Sequence, residues 1–137
     1  MDIELKEQLV EAALQVRGHA YAPYSRYAVG AALLTDDGKI YTGANVENAV
    51  YPLGLCAERV AVFKAVSEGH RKFKAMVVAT ENGGAPCGAC RQVLAEFGLD
   101  LTVFMINAQG ITVRETSLRA LLPVSFGPDD LPEKRCR

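Results

Sequence analysis

The spacing of apolar and polar residues predicts helices and strands in alternation. Between Glu4 and Val16 apolar residues recur every three or four positions with charged residues between them, and Gly18 follows, which predicts a first helix. The apolar stretch 27–34 predicts a buried strand. The Asp36-Asp37-Gly38 turn then makes 40–46 the returning strand of a hairpin.

The rest of the chain continues this alternation. The pattern predicts helices at 57–67 and 87–97, strands at 75–79, 101–106 and 111–113, and a last short helix from the cap Ser117 to Leu122. Helices interleaved with five strands favour an α/β fold, a three-layer α/β/α arrangement around one mixed sheet. We expect the hairpin pair to be antiparallel and the strands joined through helices to be parallel.

Composition and charge narrow the class of protein. The chain has 137 residues, of which 50% are hydrophobic and 23% charged, so we expect a single globular domain over residues 1–137. A net charge of −1 argues against a nucleic-acid polymer as partner. No apolar run approaches the length of a membrane helix, and we expect the charged N-terminus not to act as a signal peptide. We therefore expect a cytoplasmic protein with no membrane partner, whose four cysteines are reduced.

Three of these cysteines have the spacing of metal ligands. Cys87 and Cys90 stand one helical turn apart at the start of a predicted helix, so both sulfurs can face one point. Cys56, at the start of another helix, adds a third thiolate. Zinc is thiophilic and tetrahedral, and three protein ligands leave its fourth position open, as in catalytic sites. Because Glu58 lies only two positions after Cys56, the cysteine must sit at the helix edge for both to face the site.

Plainer interpretations exist for each of these residues. A Cys-x-x-Cys pair alone is often a structural zinc knuckle or a redox pair. Cys136 is a conceivable fourth thiolate that would close the site, but it lies between two arginines in a polar tail, so we interpret it as a bystander. His19 and His70 are interpreted as surface or loop histidines.

The chain resembles the small cytidine deaminases that form homotetramers. The resemblance covers nearly the whole sequence. It is carried by Ala22-Pro23-Tyr24-Ser25, Asn45-Val46-Glu47-Asn48-Ala49, Cys56-Ala57-Glu58-Arg59, Pro86-Cys87-Gly88-Ala89-Cys90-Arg91-Gln92 and Ser125-Phe126-Gly127-Pro128-Asp129-Asp130-Leu131. The cysteine motifs are those of zinc deaminases in general. The Asn-x-Glu-Asn and Cys-Ala-Glu-Arg strings are typical of enzymes that act on free nucleosides.

The resemblance implies an activity and a cofactor. One Zn²⁺ per chain, bound by Cys56, Cys87 and Cys90, would activate water for attack on the ring carbon that bears the amino group. Glu58 would be the catalytic proton shuttle. The expected reaction converts cytidine and 2′-deoxycytidine to uridine and 2′-deoxyuridine with release of ammonia.

The resemblance also implies how the nucleoside is held. Asn45 and Glu47 would bind the ribose hydroxyls, since an amide and a carboxylate suit that task. Tyr27 stands where the family usually has phenylalanine beside the pyrimidine. Three further contacts are implied: the backbone N–H of Ala57 on the base carbonyl, Phe126 stacking from a neighbouring subunit, and Tyr51 reaching a neighbouring site. Active sites would then be shared within a homotetramer.

Arg59 has a physical explanation of its own. Three thiolates leave zinc electron-rich and its water poorly acidic, so a nearby cation that draws charge from the sulfurs would help. Arg59 is the nearest candidate for this cation, and Arg91 is the second.

Three other functions compete with nucleoside deamination. A deaminase of a cytosine-containing antibiotic such as blasticidin S would need less of the ribose-reading pair. A polynucleotide-editing deaminase would need a basic groove, which the near-zero charge argues against. A non-enzymatic zinc-stabilised module would bind zinc without releasing ammonia from cytidine.

Overall fold

The computed structural model describes residues 1–132, and Cys136 lies outside them. The described residues form four helices: α1 (Ile3–Arg17), α2 (Ala57–Ser67), α3 (Gly88–Ala95) and α4 (Leu118–Leu121). Five strands alternate with them: β1 (Gly30–Thr35), β2 (Ile40–Ala44), β3 (Phe73–Ala79), β4 (Thr102–Ile106) and β5 (Thr112–Ser117). Tyr51–Leu53 and Pro128–Asp130 are single 3-10 turns. The predicted order of elements is confirmed.

The five strands form one mixed sheet in the order β2-β1-β3-β4-β5. Only the β3–β4 pair is parallel, and the other three pairs are antiparallel. β2 and β3 are joined through α2 and run in the same direction, but β1 lies between them. The hairpin and the mixed sheet agree with the sequence-based prediction.

Helices cover both faces of the sheet, as expected. On one face α1 buries Leu9 and Ala13 against β1, β3 and β4. On the other face α2, α3 and α4 pack against Ala31, Met76 and Val103. Removal of these apolar side chains from water is the main favourable term in folding. Of the cysteines at the starts of α2 and α3, only Cys90 is buried with them, whereas Cys56 and Cys87 are not.

The strand directions bring the candidate residues to one edge of the sheet. Gly30, the first residue of β1, pairs with Ala44 at the end of β2 and with Ala79 at the end of β3. Segments that precede β1 or follow β2 and β3 therefore meet there. Among the described residues no helix is long and apolar enough to cross a membrane.

A glycine allows α2 to lie directly on β2. A Cβ added to Gly43 would stand 2.5 Å from the carbonyl oxygen of Ala57 and 2.6 Å from the amide nitrogen of Ala61. Because both contacts are with backbone, they cannot be relieved by turning a side chain. The absence of a side chain at residue 43 thus sets the distance between this strand and the helix that begins at Ala57.

We expect Gly43→Ala to lower the free energy of unfolding by about 1–3 kcal/mol, because overpacking forces the helix away from the strand. Gly127→Ala is the matched control, since a Cβ there meets nothing within 4 Å. Thermal unfolding of both variants measures the difference. Equal melting temperatures would show that α2 moves freely at this contact.

Candidate active site

Three cysteine sulfurs converge at the starts of α2 and α3. Cys56 and Cys87 are the N-cap residues of the two helices, and Cys90 lies in the first turn of α3. The Sγ atom of Cys56 is 3.8 Å from that of Cys87, which is 3.4 Å from that of Cys90. All three sulfurs lie within 4.8 Å of one another. The helix-edge position predicted for Cys56 is confirmed.

This arrangement fits a zinc ion. Tetrahedral zinc with bonds of about 2.3 Å to sulfur holds its thiolates about 3.8 Å apart, close to the spacing observed. Neither Cys56 nor Cys87 uses its side chain to cap its helix, so both sulfurs remain available as ligands. Three sulfurs leave a fourth position for water or substrate.

The thiols themselves are electrostatically coupled. A hydrogen bond from Cys90, and then one from Arg59, lowers the pKa of Cys56 to about 5. The same contact with Cys56, together with burial, raises the pKa of Cys90. Cys56 is thus the more acidic of the two thiols, and metal binding would displace the protons of these sulfurs, since the thiolate is the ligand form.

Arg59 is the cation that faces the sulfurs. Its Nη2 atom lies 3.5 Å from the Sγ atom of Cys56, and that contact raises the pKa of the guanidinium. Its Nε atom is buried and has no hydrogen-bond partner in the part of the chain that the structure describes. Arg91, the second candidate, instead donates to the carbonyl oxygens of Pro86 and Leu121 at 2.8 and 2.9 Å.

Glu58 is a buried acid beside this cluster. Only 4% of the residue is exposed, and burial is the main reason that its pKa is raised to about 7. A carboxyl group with that pKa can both accept and donate a proton at neutral pH. The neighbouring backbone N–H of Ala57 is in the first turn of α2, where no acceptor within the helix is available.

The side chain of Asn45 forms hydrogen bonds to the backbone of the segment that precedes β1. Its Nδ2 donates to the carbonyl oxygen of Tyr27, and its Oδ1 accepts from the N–H of Val29, both at 2.9 Å. These bonds fix the backbone of residues 27–29 just before β1, which begins at Gly30 and not at the predicted residue 27.

Glu47 is held at the same edge by Tyr24 and Ser25, to which the sequence pattern assigned no role of their own. One carboxylate oxygen accepts from the backbone N–H groups of Tyr24 and Ser25, and the other accepts from the Ser25 hydroxyl. The Ser25 hydroxyl is the first cause of a lowered pKa at Glu47, so its carboxylate remains an acceptor. The carboxylate borders a cavity of about 200 Å³ that Tyr24 and Tyr51 also line. Ser25 has a sequence signal, since it ends the Ala-Pro-Tyr-Ser string.

The two aromatic residues that are expected to reach a neighbouring subunit, Tyr51 and Phe126, are exposed to solvent. The Tyr51 side chain is largely exposed and meets Tyr24 edge to face, with 5.5 Å between ring centroids. Phe126 is also exposed, and its carbonyl oxygen accepts from Nε2 of Gln92 in α3. His19 and His70 are outside the sulfur cluster.

Two surface clefts, of about 510 and 450 Å³, lie away from this edge. One lies around His70 and Phe97, and the other lies between α1 and Gly110. Neither contains a candidate residue, so the chemistry of the side chains, and not cleft size, locates the site.

Comparison with known proteins, like the geometry of the three cysteines, indicates a zinc-binding site. The family described as the cytidine and deoxycytidylate deaminase zinc-binding region matches residues 3–106. The chain belongs to this family. It is 48% identical to a cytidine deaminase of Sporosarcina psychrophila over 134 residues, which is 96% of each chain. A cytidine deaminase of Mycobacterium tuberculosis is 46% identical over 90% of each chain.

A solved cytidine deaminase structure has the same fold. The Burkholderia pseudomallei enzyme superposes with a TM-score of 0.84 at 50% identity, over 92% of this chain and all of the other. The resemblance and the α/β fold with a mixed five-stranded sheet are therefore confirmed. The chain is a zinc enzyme of the cytidine deaminase family, and the three cysteines are placed to hold the metal.

We expect Cys56→Ala, Cys87→Ala and Cys90→Ala each to lose zinc, because each removes one of three ligands. Cys136→Ala, the matched control outside the described residues, should keep one zinc per chain. Metal content of the purified proteins measures this. Loss of zinc from Cys136→Ala alone would mean a closed, structural site and would contradict the open one.

Proposed function

We propose that the protein hydrolyses the 4-amino group of cytidine and 2′-deoxycytidine, giving uridine or 2′-deoxyuridine and ammonia. The observation that carries this is the buried carboxyl group of Glu58 beside three convergent cysteine sulfurs. Residues 1–137 would act as one catalytic domain, which the single sheet among the described residues supports.

The proton transfers fall to Glu58. When bound by Cys56, Cys87 and Cys90, zinc supplies a water molecule activated for attack on the ring carbon. A carboxylate oxygen of Glu58 accepts a proton from the attacking water and delivers it to ring nitrogen 3. The same carboxylate then accepts the remaining proton of that water from the new hydroxyl group. It passes this proton to the amino group, which leaves as ammonia. The raised pKa of Glu58 supports both directions of transfer.

The neighbouring residues bind the nucleoside. Asn45 and Glu47 would hydrogen-bond the ribose hydroxyls. The N–H of Ala57 would donate to the base carbonyl, and the ring of Tyr27 would lie beside the pyrimidine. Arg59 would draw charge from Cys56, which counters the excess negative charge that three thiolates give the metal.

Glu58→Gln should keep zinc and fold but lose turnover by about 10²–10⁴-fold, since an amide cannot shuttle the proton. Ammonia release from cytidine by the native protein and the variant measures this. Glu68→Gln is a matched control, because Glu68 lies at the far end of the same helix and is exposed. Turnover near the native rate in a zinc-loaded Glu58→Gln protein would contradict the mechanism. Zinc retention without any native turnover would contradict the function.

We also propose that the protein forms a homotetramer whose active sites are shared between subunits, and that it is cytoplasmic. Large apolar side chains are exposed on the segments around the site, among them Tyr24, Val50, Tyr51, Leu53 and Phe126. Such a concentration is typical of a protein–protein interface. Phe126 would stack on the base in a neighbouring subunit, and Tyr51 would reach a neighbouring site. The free thiols of the three metal-binding cysteines suit a reducing compartment.

Mixed reassembly tests the sharing of sites. Glu58→Ala chains and Phe126→Ala chains are unfolded, combined and refolded, so that some hybrid sites pair an intact Glu58 with an intact Phe126. We expect activity above that of either parent, and sedimentation at the mass of four chains. Each parent refolded alone is the control. An active monomer, or a mixture no more active than its parents, would show that each chain builds its own site.

A further inference from the structure

Tyr27 lies between the two halves of the candidate site. Its backbone belongs to the half that would read the ribose: its N–H donates to the Ser25 hydroxyl at 3.0 Å, and its carbonyl oxygen accepts from Asn45 at 2.9 Å. The Ser25 hydroxyl in turn donates to Glu47. The backbone of Tyr27 is therefore linked to both residues assigned to the sugar.

The Tyr27 hydroxyl belongs to the other half. It donates to Oδ1 of Asn82 at 2.7 Å. Asn82 lies in the loop that leads from β3 to Cys87. In the same loop the Thr80 hydroxyl accepts from the N–H of Gly84 at 2.7 Å. One side chain thus connects the ribose-reading segment to the loop that carries a metal ligand.

The loop leaves space for this hydroxyl. A Cβ added to Gly84 would stand 2.5 Å from the hydroxyl oxygen of Tyr27. Its next neighbours, Oδ1 of Asn82 at 3.5 Å and Oγ1 of Thr80 at 3.7 Å, are at ordinary contact distance. Among the described residues, the tyrosine hydroxyl is therefore the one atom that would have to shift to admit a side chain at residue 84.

A second contact keeps the two segments together without the hydroxyl. The Nε of Arg17 donates to the carbonyl oxygen of Ala28 at 2.9 Å, and its Nη2 pairs with Glu81 at 3.2 Å. These partners are the chain neighbours of Tyr27 and Asn82. Loss of the hydroxyl should therefore leave the fold intact, and what it changes is the freedom of the Tyr27 ring.

We propose that Tyr27 is a positioning residue whose hydroxyl, bonded to Asn82 and seated over Gly84, fixes its ring and with it the fit of the site to its nucleoside. This rests on the proposed function. A phenylalanine at residue 27 would keep the aromatic face but lose the tie to the metal-side loop. The tie acts on substrate binding, and it does not enter the proton transfers assigned to Glu58.

The first test is Tyr27→Phe, with KM and kcat measured on cytidine. We expect KM to rise about two- to tenfold, the equivalent of one net neutral hydrogen bond, while kcat falls by a smaller factor. Tyr41→Phe is the matched control: it also removes a hydroxyl that donates to a side-chain oxygen, that of Glu68 at 3.1 Å. Its KM should equal that of the native enzyme.

The second test adds a methyl group. Gly84→Ala should raise KM by a larger factor than Tyr27→Phe does, and should lower the melting temperature, because the new Cβ displaces the hydroxyl. In the Tyr27→Phe background the same substitution meets no close atom, so KM and melting temperature should return to the values of Tyr27→Phe alone. This rescue distinguishes the proposed contact from general damage to the loop.

The outcomes separate the two proposals. An active enzyme in which Tyr27→Phe leaves KM unchanged, or in which Gly84→Ala is equally harmful in both backgrounds, overturns the positioning role alone. A native protein that does not deaminate cytidine overturns the proposed function, and the role of Tyr27 in nucleoside binding with it. The melting temperatures then still decide whether the Tyr27–Gly84 contact exists.

Discussion

The chemistry of this molecule depends on the close approach of two helix starts. Three sulfurs lie within 4.8 Å only because α2 and α3 both begin at the edge where β2 and β3 end. The approach is enforced by backbone packing at Gly43 and by the apolar layer shared by α2, α3 and α4. The same approach places a buried acid and a guanidinium beside the sulfurs, because Glu58 and Arg59 occupy the first turn of α2.

Much of this could be predicted from the sequence, for local reasons. The bounds of α2 agree with the prediction because the helical pattern of residues 57–67 and the closing glycine, Gly69, which has a positive φ, are local signals. β5 was underestimated, since Arg114, Glu115 and Thr116 are polar residues of an exposed edge strand, and an exposed edge shows no apolar run. α3 ends at Ala95, two residues before the predicted end, although the apolar pattern continues to Phe97.

The polar contacts of the site were harder to predict. Two of the metal ligands could be paired from spacing, because one helical turn brings Cys87 and Cys90 together, whereas Cys56 was added from its place at another helix start. By contrast, Tyr27 and Asn82 are 55 residues apart, and no periodicity joins them. The bracing role of Asn45 depends on where β1 begins, which is decided by tertiary contacts. The resemblance names Tyr27 and Asn45 but not Asn82, and only three-dimensional placement shows which partner each side chain has.

The spacing of the sulfurs has a consequence for metal selectivity. The hydrophobic layers on both faces of the sheet hold the sulfurs close to their liganding distances, so little rearrangement accompanies metal uptake. A preformed triangle of soft thiolates also suits copper(I) and other thiophilic ions, because affinity follows ligand type and geometry. Which ion occupies the protein is therefore governed by the supply of free metal during folding, and overexpression in a copper- or cadmium-rich medium would be expected to mismetallate it.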